Sequence, residues 1–338
     1  MVDYKYRGML SVICPIYNEE KYIKNCIESI LKQDYPKEDL EILFVDGMST
    51  DNTRQIVQEY TRQYPQIRLL DNPKRIVPIA MNIGIKESVG DVIIRLDAHA
   101  QYDTNYFSTL TSALFDLNAD NVGSVCITDV LNKSPKTFAI REVLSNKFGV
   151  GNSVFRTGVD EIREVDTVPF GCWRRSVFEK YGLYDERLVR NQDIELNKRI
   201  LNGGGKIYIV PNTSCTYLAR ETYIGIAKNN FGNGKWNILT VYYTKQLSSL
   251  SLRHFIPMVF LLSLTLPILL SVLYSPILFV TLLSLLSYIL LFAIVSVNLG
   301  ISKKLNPIRL FITFFILHLS YGWGSIVGFW SVITKRIK

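Results

Sequence analysis

Short apolar runs alternate with segments of helical periodicity along the first 220 residues. Apolar runs bounded by polar residues are typical of strands, whereas apolar residues at i, i+3 and i+4 are typical of helices. The pattern predicts strands at Leu10–Cys14, Glu41–Val45, Ile67–Leu70 and Val92–Leu96. It predicts helices at Asn18–Gln33, Thr53–Tyr64 and Pro78–Ser88. Strands that alternate with helices indicate an α/β fold around a mostly parallel sheet, which we assign to residues 1–220.

The C-terminal third of the chain lacks a polar helical face. No Asp, Glu, Lys or Arg lies between Arg253 and Lys303, and a helix needs about 20 apolar residues to cross a bilayer. A helical core in a soluble domain is the alternative, but several consecutive runs without a polar face are hard to solvate. We therefore expect residues 254–334 to form a membrane anchor with two to three transmembrane helices.

Proline positions divide this anchor into segments. Ser275-Pro276 predicts a turn between a helix near 255–274 and a helix near 277–299. A third apolar run spans Ile308–Ile333. Its glycines disfavour a straight helix, so the pattern leaves open whether this run crosses the membrane or bends back.

The basic surplus of the chain belongs to this apolar third. The net charge is +8, yet ten basic residues and no acidic residue follow Glu221, whereas residues 1–221 carry a net charge of −2. Basic residues confined to an apolar region favour contact with anionic lipid and argue against nucleic acid as a partner. The positive-inside rule places Lys303 and Lys304 on the cytosolic side, together with the α/β domain. The five scattered cysteines fit reduced thiols in a cytosolic domain.

Residues 221–253 form the predicted connector between the two regions. Trp236 lies there among further aromatic residues, in a segment that also carries Lys228, Lys235 and Lys245. This amphipathic pattern fits a helix in the membrane interface and fits a core helix of the α/β domain equally well.

Polar residues follow three of the predicted strands. Tyr17 and Glu19 follow the first strand, Asp46 the second and Asp97 the fourth. Ligands of open parallel sheets bind beyond the carboxyl ends of the strands. Tyr17 can stack on a base, and carboxylates accept hydrogen bonds from a base or ribose. Each residue alone is explained equally well by an ordinary turn. Their coincidence at three strand ends predicts a nucleotide site.

Asp97 and His99 form a candidate metal site. Residues two apart on an extended segment project to the same side, so both side chains can face one divalent cation. A carboxylate with an imidazole tolerates Mn²⁺ as well as Mg²⁺, and such a cation at a diphosphate would act as a Lewis acid. A solvent-facing turn is the alternative interpretation.

Asp193 opens a predicted helix that runs through Ile200. A carboxylate in the first turn stabilises a helix without any catalytic role. The functional alternative is a general base that takes the proton of an attacking hydroxyl group. The pattern leaves both interpretations open.

Six segments, in order along the chain, resemble the motifs of glycosyltransferase family 2, whose members have the GT-A fold. They are Leu10–Glu20, Val45–Thr53, Asn72–Arg75, Met81–Ile85, Arg95–Ala100 and Val189–Asp193. The residues of the last two segments are most similar to those of the succinoglycan-biosynthesis-like branch of this family. The resemblance implies a Rossmann-like GT-A domain followed by transmembrane helices, in a multi-pass protein of a prokaryotic plasma membrane with its catalytic domain on the cytosolic face.

The resemblance also implies roles for single residues. Asp193 would be the catalytic base, Asp97 with His99 would hold Mn²⁺ or Mg²⁺, and Gln192 with Trp236 would lie on the acceptor side. The residues expected to bind the nucleotide sugar are Pro15, Tyr17, Glu19, Asp46, Arg75 and Asp97.

The sequence departs from the family pattern at three points. His99 stands at the last position of the usual DxD motif, and Gln192 replaces the carboxylate that usually precedes the base. No QxxRW motif follows, although Gly232–Trp236 stands nearby. The missing motif argues against a processive polymer synthase and for the addition of one sugar per encounter.

The implied function is transfer of a sugar, with inversion at the anomeric carbon, from a nucleotide-diphosphate donor to a lipid-linked saccharide. The expected donor is a UDP-sugar, and the expected process is cell-surface polysaccharide or glycan assembly. Two alternatives stay open at this point. The acceptor could be a polyprenyl phosphate, which needs no base, or the protein could be a non-catalytic membrane scaffold that binds nucleotide sugars.

Overall fold

A computed structural model describes residues 8–151, 153–245 and 252–336. The chain divides into two compact units. The first unit comprises Met1–Ile127 and Val154–Leu218, and the second comprises Thr128–Ser153 and Ala219–Lys338. The predicted domain boundaries at 220 and 253 stay predictions.

One sheet contains nine strands of the described part of the chain. They are β1 Leu10–Ile16, β2 Leu40–Asp46, β3 Ile67–Asp71, β4 Val92–Arg95, β5 Ala100–Tyr102, β6 Asn121–Asp129, β7 Arg163–Glu164, β8 Cys172–Arg174 and β9 Ile207–Leu218. Their order is β3-β2-β1-β4-β8-β6-β9-β5, and β7 pairs with β9. The four strands predicted from the sequence are all present and pair in parallel as β3-β2-β1-β4. The pairings of β8 with β4 and β6, and of β9 with β5 and β7, are antiparallel.

The described residues also form thirteen α-helices. They are α1 Ile23–Leu31, α2 Thr53–Gln63, α3 Val77–Glu87, α4 Tyr106–Asp116, α5 Pro135–Leu144, α6 Lys147–Val150, α7 Val154–Thr157, α8 Arg175–Tyr181, α9 Gln192–Asn202, α10 Tyr223–Thr244, α11 Ile256–Leu270, α12 Leu278–Lys303 and α13 Pro307–Ile333. Successive strand residues point to opposite faces, so the sheet has two apolar cores. Val12 packs with α1, α2 and α4 on one face, and Ile13 packs with α3, α8 and α9 on the other.

Helix α1 begins later than its sequence pattern predicts. Asn18 has a φ of 55°, and the amides of Asn18 and Glu19 donate to the side chains of Ser49 and Thr53. These amides are therefore bonded to another loop, and the helix begins only at Ile23. The five residues before it form a loop at the strand ends, where they are available to a ligand.

The second unit contains α5, α6 and the C-terminal helices. Its core includes Ala139 and Val143 of α5, Phe292 of α12 and Phe314 of α13. Two segments are long and apolar enough to cross a membrane, Ser275–Lys303 and Pro307–Ile333. Helix α11 alone has 15 residues, which span about 22 Å at 1.5 Å per residue, so it would cross a hydrocarbon core of about 30 Å only together with apolar residues beside it. The sequence left open whether the third apolar run crosses the membrane or bends back. In the structure this run is one helix of 27 residues, α13.

Helices α10 and α13 approach each other closely because glycines line their contact. A methyl group at Gly324 would overlap the carbonyl oxygen of Phe231, and one at Gly234 would overlap that of Tyr321. Ser325 Oγ also donates to the carbonyl oxygen of Gly234 at 3.2 Å. Small residues of this kind allow close packing of apolar helices without help from the hydrophobic effect. The 22-residue helix α10 therefore packs against an apolar helix of its own unit.

Candidate active site

The loops that follow β1 and β2 are joined by hydrogen bonds. Asn18 donates its amide to Ser49 Oγ at 2.9 Å and accepts from the amide of Thr50 at 2.8 Å. Glu19 donates its amide to Thr53 Oγ1 at 2.7 Å. The two loops therefore form one surface at the carboxyl ends of neighbouring parallel strands.

Tyr17 and Arg75 meet at this surface. Tyr17 is 43% exposed, and the guanidinium carbon of Arg75 lies 5.9 Å from the centroid of its ring. This is a cation–π contact, and it orients an exposed aromatic ring of the kind that stacks on a base. Pro15 belongs to β1, opposite Val45, because the strand continues two residues further than its sequence pattern predicts.

Asp46 is fully buried at the end of β2. Its carboxylate accepts from the hydroxyl group of Ser49 at 2.5 Å and from Arg54 Nη1 at 2.9 Å. Arg54 also bridges to Asp71 on the neighbouring strand at 2.6 Å. In this conformation Asp46 fixes the turn, and its contact with a nucleoside stays a prediction.

Asp97 follows β4 and pairs with an arginine of that strand. Arg95 is only 6% exposed, and its Nε and Nη2 lie 3.3 Å and 3.1 Å from Asp97 Oδ1. The amide of Asp97 donates to the hydroxyl group of Tyr102 at 2.8 Å. The backbone of Asp97 is thus held by Tyr102, and one oxygen of its carboxylate accepts both hydrogen bonds from Arg95.

The charge of Asp193 reaches the same arginine. Burial lowers the pKa of Arg95, but the charges of Asp97, Tyr184 and Asp193 raise that pKa above its usual range. Asp193 lies in the first turn of α9, whose N-cap residue is Asn191 with a φ of 60°. Its Oδ1 accepts from the amide of Ile194 at 3.0 Å. Arg95 is therefore hydrogen-bonded to Asp97 and lies within electrostatic reach of Asp193, although the two carboxylates are 96 residues apart in sequence.

Gln192 is 6% exposed, beside Asp193 in the sequence. Its Oε1 has no hydrogen-bond partner among the described residues. Leaving a buried polar atom unpaired costs about 1–3 kcal/mol, so such atoms are rare unless a ligand or water satisfies them. Trp236 lies on α10 in the second unit and is half-buried. The acceptor-side roles of Gln192 and Trp236 stay predictions.

His99 contacts Glu19 across the strand ends. Its Nδ1 lies 3.3 Å from Glu19 Oε1, and its ring meets the ring of Tyr217 edge-on, with 5.2 Å between centroids. A carboxylate on one ring nitrogen is the arrangement that orients a metal-bound histidine. Two of the residues predicted to bind the donor and its cation, Glu19 and His99, are therefore in contact.

The metal-binding role of Asp97 and His99 stays a prediction. The described residues include no group of three or more His, Cys, Asp or Glu side chains suited to hold a metal ion. Asp97 with His99 would supply one or two ligands, and phosphate oxygens and water would complete the shell. Mg²⁺ and similar hard cations are bound in this way in many phosphate sites.

Sequence reasoning missed Arg95 and Tyr184. A charged residue at the end of the apolar strand β4, directly before the Asp97 turn, is the signal that identifies Arg95. Tyr184 has no such signal, because its proximity to Arg95 and Asp193 depends on the fold.

Comparisons with known proteins show the family of this chain. Residues 11–182 match the sequence family described as glycosyl transferase family 2. The dolichyl N-acetyl-alpha-D-glucosaminyl phosphate 3-beta-D-2,3-diacetamido-2,3-dideoxy-beta-D-glucuronosyltransferase of Methanococcus voltae is 29% identical, over 67% of this chain and 72% of the relative. The succinoglycan biosynthesis protein ExoA of Rhizobium meliloti (strain 1021) is 30% identical, over 66% and 67% of the two chains.

Solved structures show the same fold. The mannosyltransferase PcManGT from Pyrobaculum calidifontis, solved with GDP-Man and Mn²⁺, has a TM-score of 0.61 at 17% identity, over 97% of this chain and 89% of that one. S. aureus TarS 1–349, solved with UDP-GlcNAc, has a TM-score of 0.50 at 18% identity, over 66% and 65%. The predicted fold, a GT-A domain followed by apolar C-terminal helices, is confirmed.

Proposed function

This chain belongs to glycosyltransferase family 2 and is a glycosyltransferase, and on that premise we propose that it moves a sugar from a UDP-linked donor to a lipid-linked saccharide with inversion at the anomeric carbon. The observation that supports the proposal is the buried Arg95, which bonds Asp97 and whose pKa is raised by the charges of both Asp97 and Asp193. One carboxylate is suited to the diphosphate end of a donor and the other to an acceptor hydroxyl group.

Asp193 is the proposed base of a single displacement. It takes the proton of the acceptor hydroxyl as that oxygen bonds to the anomeric carbon, while the bond from that carbon to the diphosphate breaks on the opposite face. The electron pair of the broken bond leaves with the nucleotide diphosphate. A divalent cation beside Asp97 would supply Lewis-acid stabilisation of that leaving group.

Arg95 is a positioning residue in this scheme. It holds Asp97 through Oδ1 and is buried, so it is shielded from the solvent that screens exposed charges. A fixed arginine keeps the metal-binding carboxylate in one orientation, and it also lowers the local excess of negative charge next to Asp193.

The acceptor and the membrane location rest on other features. Two apolar helices of 29 and 27 residues suit a protein that meets acceptors in a bilayer. The relative from Methanococcus voltae is named for a dolichyl-linked phosphosugar, and the relative from Rhizobium meliloti for succinoglycan biosynthesis. We propose that the first unit faces the cytosol, where nucleotide sugars are made, in a prokaryotic plasma membrane.

A donor screen tests the proposal. Full-length protein in detergent is heated with UDP-, GDP- and dTDP-sugars, with and without Mn²⁺, and the stabilising donor is then supplied with lipid-linked saccharides. We expect a UDP-sugar to raise the melting temperature in the presence of Mn²⁺ and to be transferred. Stabilisation by a GDP-sugar alone would overturn the UDP assignment, and no donor binding at all would overturn the proposed function.

The variant Asp193→Asn tests the mechanism. Removing a general base slows transfer by about 10²- to 10⁴-fold, whereas donor affinity should stay within about threefold, because the side chain keeps its shape. Asp160→Asn makes the same change at an exposed position and serves as the control. Unchanged turnover of a saccharide acceptor would remove Asp193 from the mechanism.

The same variant separates the alternative acceptor. A polyprenyl phosphate is already an anion, so its attack needs no base. Activity retained by Asp193→Asn toward a polyprenyl phosphate would therefore favour that acceptor. The non-catalytic scaffold is disfavoured by membership of an enzyme family, and sugar transfer by the purified protein would exclude it.

A further inference from the structure

We propose that Arg156 binds the terminal phosphate of the donor diphosphate and stabilises it as it leaves. The assignment rests on the proposed function, because it requires a nucleotide diphosphate at Asp97. Neither the sequence pattern nor the family motifs pointed to this residue.

Arg156 lies on the short helix α7 and stacks on an aromatic ring of β9. Its guanidinium carbon is 5.5 Å from the ring centroid of Tyr217 and 5.7 Å from that of Phe155. Tyr217 in turn contacts His99, with 5.2 Å between the ring centroids. Pairing of β5 with β9 places Tyr217 opposite Ala100, the residue after His99. One aromatic ring therefore separates Arg156 from the candidate metal site.

Among the described residues, the charge of Arg156 has no acidic partner. Arg54, Arg95 and Arg199 each form an ion pair with a carboxylate, but Arg156 forms none among the described residues. It is half-buried, and two cation–π contacts orient its guanidinium without neutralising it. A half-buried arginine that lacks a counter-ion is suited to an anionic ligand.

A buried thiol reports that this charge reaches the candidate site. A hydrogen bond with Cys215 lowers the pKa of Cys126, burial raises it, and the charge of Arg156 lowers it. The charge of Asp97 raises the same pKa, and that of His99 lowers it. The charges of Arg156, Asp97 and His99 thus all act on one buried thiol, which agrees with the contacts from Arg156 through Tyr217 to His99.

The charge balance of the site calls for a fixed cation. Glu19 and Asp97 present carboxylates that repel a diphosphate, and the leaving phosphate gains negative charge as the bond to the sugar breaks. A guanidinium offers paired N–H donors that match phosphate oxygens. Arg156 would supply this charge at the phosphate end, whereas Tyr17 and Arg75 lie where a nucleoside is expected.

Binding of UDP and UMP to full-length protein in detergent with Mn²⁺ tests the assignment, with GDP and GMP in parallel. We expect Arg156→Gln to weaken binding of the nucleoside diphosphate by about 10- to 100-fold and binding of the monophosphate by less than about threefold. Only the diphosphate has the second phosphate that Arg156 would bind. Arg156→Lys keeps the charge and should recover part of the loss. Arg62→Gln, on the exposed face of α2, should bind like the wild type.

The outcomes separate this inference from the function on which it rests. Equal losses for diphosphate and monophosphate, or unchanged diphosphate binding by Arg156→Gln, would overturn the assignment and leave the proposed function intact. Wild-type protein that binds neither UDP nor GDP would overturn both. Melting curves of each variant without nucleotide identify a folding defect, in which case the comparison rests on Arg156→Lys, which should then bind UDP more weakly than the wild type and UMP equally well.

Discussion

Arg95 compensates part of the negative charge of Asp97, the proposed ligand of the cation. Its guanidinium bonds one oxygen of the Asp97 carboxylate, and both groups are largely shielded from water. Without a donor, an ion pair of this kind weakens the attraction of Asp97 for Mn²⁺, because the arginine already compensates part of the carboxylate charge. A diphosphate adds negative charge and restores that attraction. We therefore expect the cation to bind together with the donor.

Asp97→Asn removes this carboxylate charge while keeping the size of the side chain. We expect the Mn²⁺-dependent part of donor binding to disappear, since an amide is a poor ligand for the cation. The free energy of unfolding should fall as well, because Arg95 loses a partner. Breaking a buried ion pair typically costs about 3–5 kcal/mol, and we expect at most this loss. Titration of donor with and without Mn²⁺ measures the first effect, and thermal melting measures the second.

Asp91→Asn is the matched control, because Asp91 is exposed directly before β4. It should change neither measurement. Donor binding by Asp97→Asn with an unchanged dependence on Mn²⁺ would contradict the role of Asp97.

At the scale of elements, the contact between α10 and α13 depends on residues without side chains. Gly234, Gly324 and Gly328 let the two backbones approach so closely that added methyl groups would meet carbonyl oxygens. Backbone atoms cannot move aside as a flexible side chain can, so the helices would have to separate. The same pair is held by hydrogen bonds from Ser325 to Gly234 and between Asn237 and Tyr321.

Gly324→Ala tests the importance of this contact. Overpacking typically costs about 1–3 kcal/mol, so we expect a lower thermal-inactivation temperature in detergent. Trp323→Ala changes the neighbouring residue, which is 54% exposed, and should have a much smaller effect. Equal stability of Gly324→Ala and the wild type would show that the helices are not packed at this distance.

At the scale of the whole molecule, the orientation of the C-terminal helices in a membrane is a testable part of the proposal. We propose that α12 crosses the membrane with its basic end, at Lys303 and Lys304, in the cytosol and its other end outside, as the positive-inside rule predicts. The two ends of α12 should therefore differ in access to a reagent that does not cross the membrane.

Cysteine labelling measures this difference. The five native cysteines are buried, so they should add little background. Val272→Cys, at a position 88% exposed, should react with an impermeant maleimide in intact cells. Ser302→Cys, exposed near the end of α12, should react only after the cells are permeabilised. Labelling of both variants from one side would contradict a crossing by α12.

The positions of the predicted strands and helices follow from local patterns. The four N-terminal strands lie within two residues of their predicted bounds. Short apolar runs and helical periodicity are set by residues close together in the sequence, so they can be recognised without the fold. The start of α1 was predicted too early, since hydrogen bonds from a distant loop decide it. The length of α11 was overestimated for a related reason, because hydropathy measures apolar character and does not locate the end of a helix.

The sequence by itself determined that an α/β domain precedes apolar C-terminal helices, and its resemblance to a family made Asp97 and Asp193 the candidates for metal binding and base catalysis. Composition and periodicity are properties of neighbouring residues, so they need no tertiary contact. Only the tertiary structure decided that Arg95 bonds Asp97 within electrostatic reach of Asp193, and that Arg156 and His99 contact the same ring, that of Tyr217. These contacts join residues that are far apart in the chain, and they depend on the order of the strands and on the register of β5 with β9.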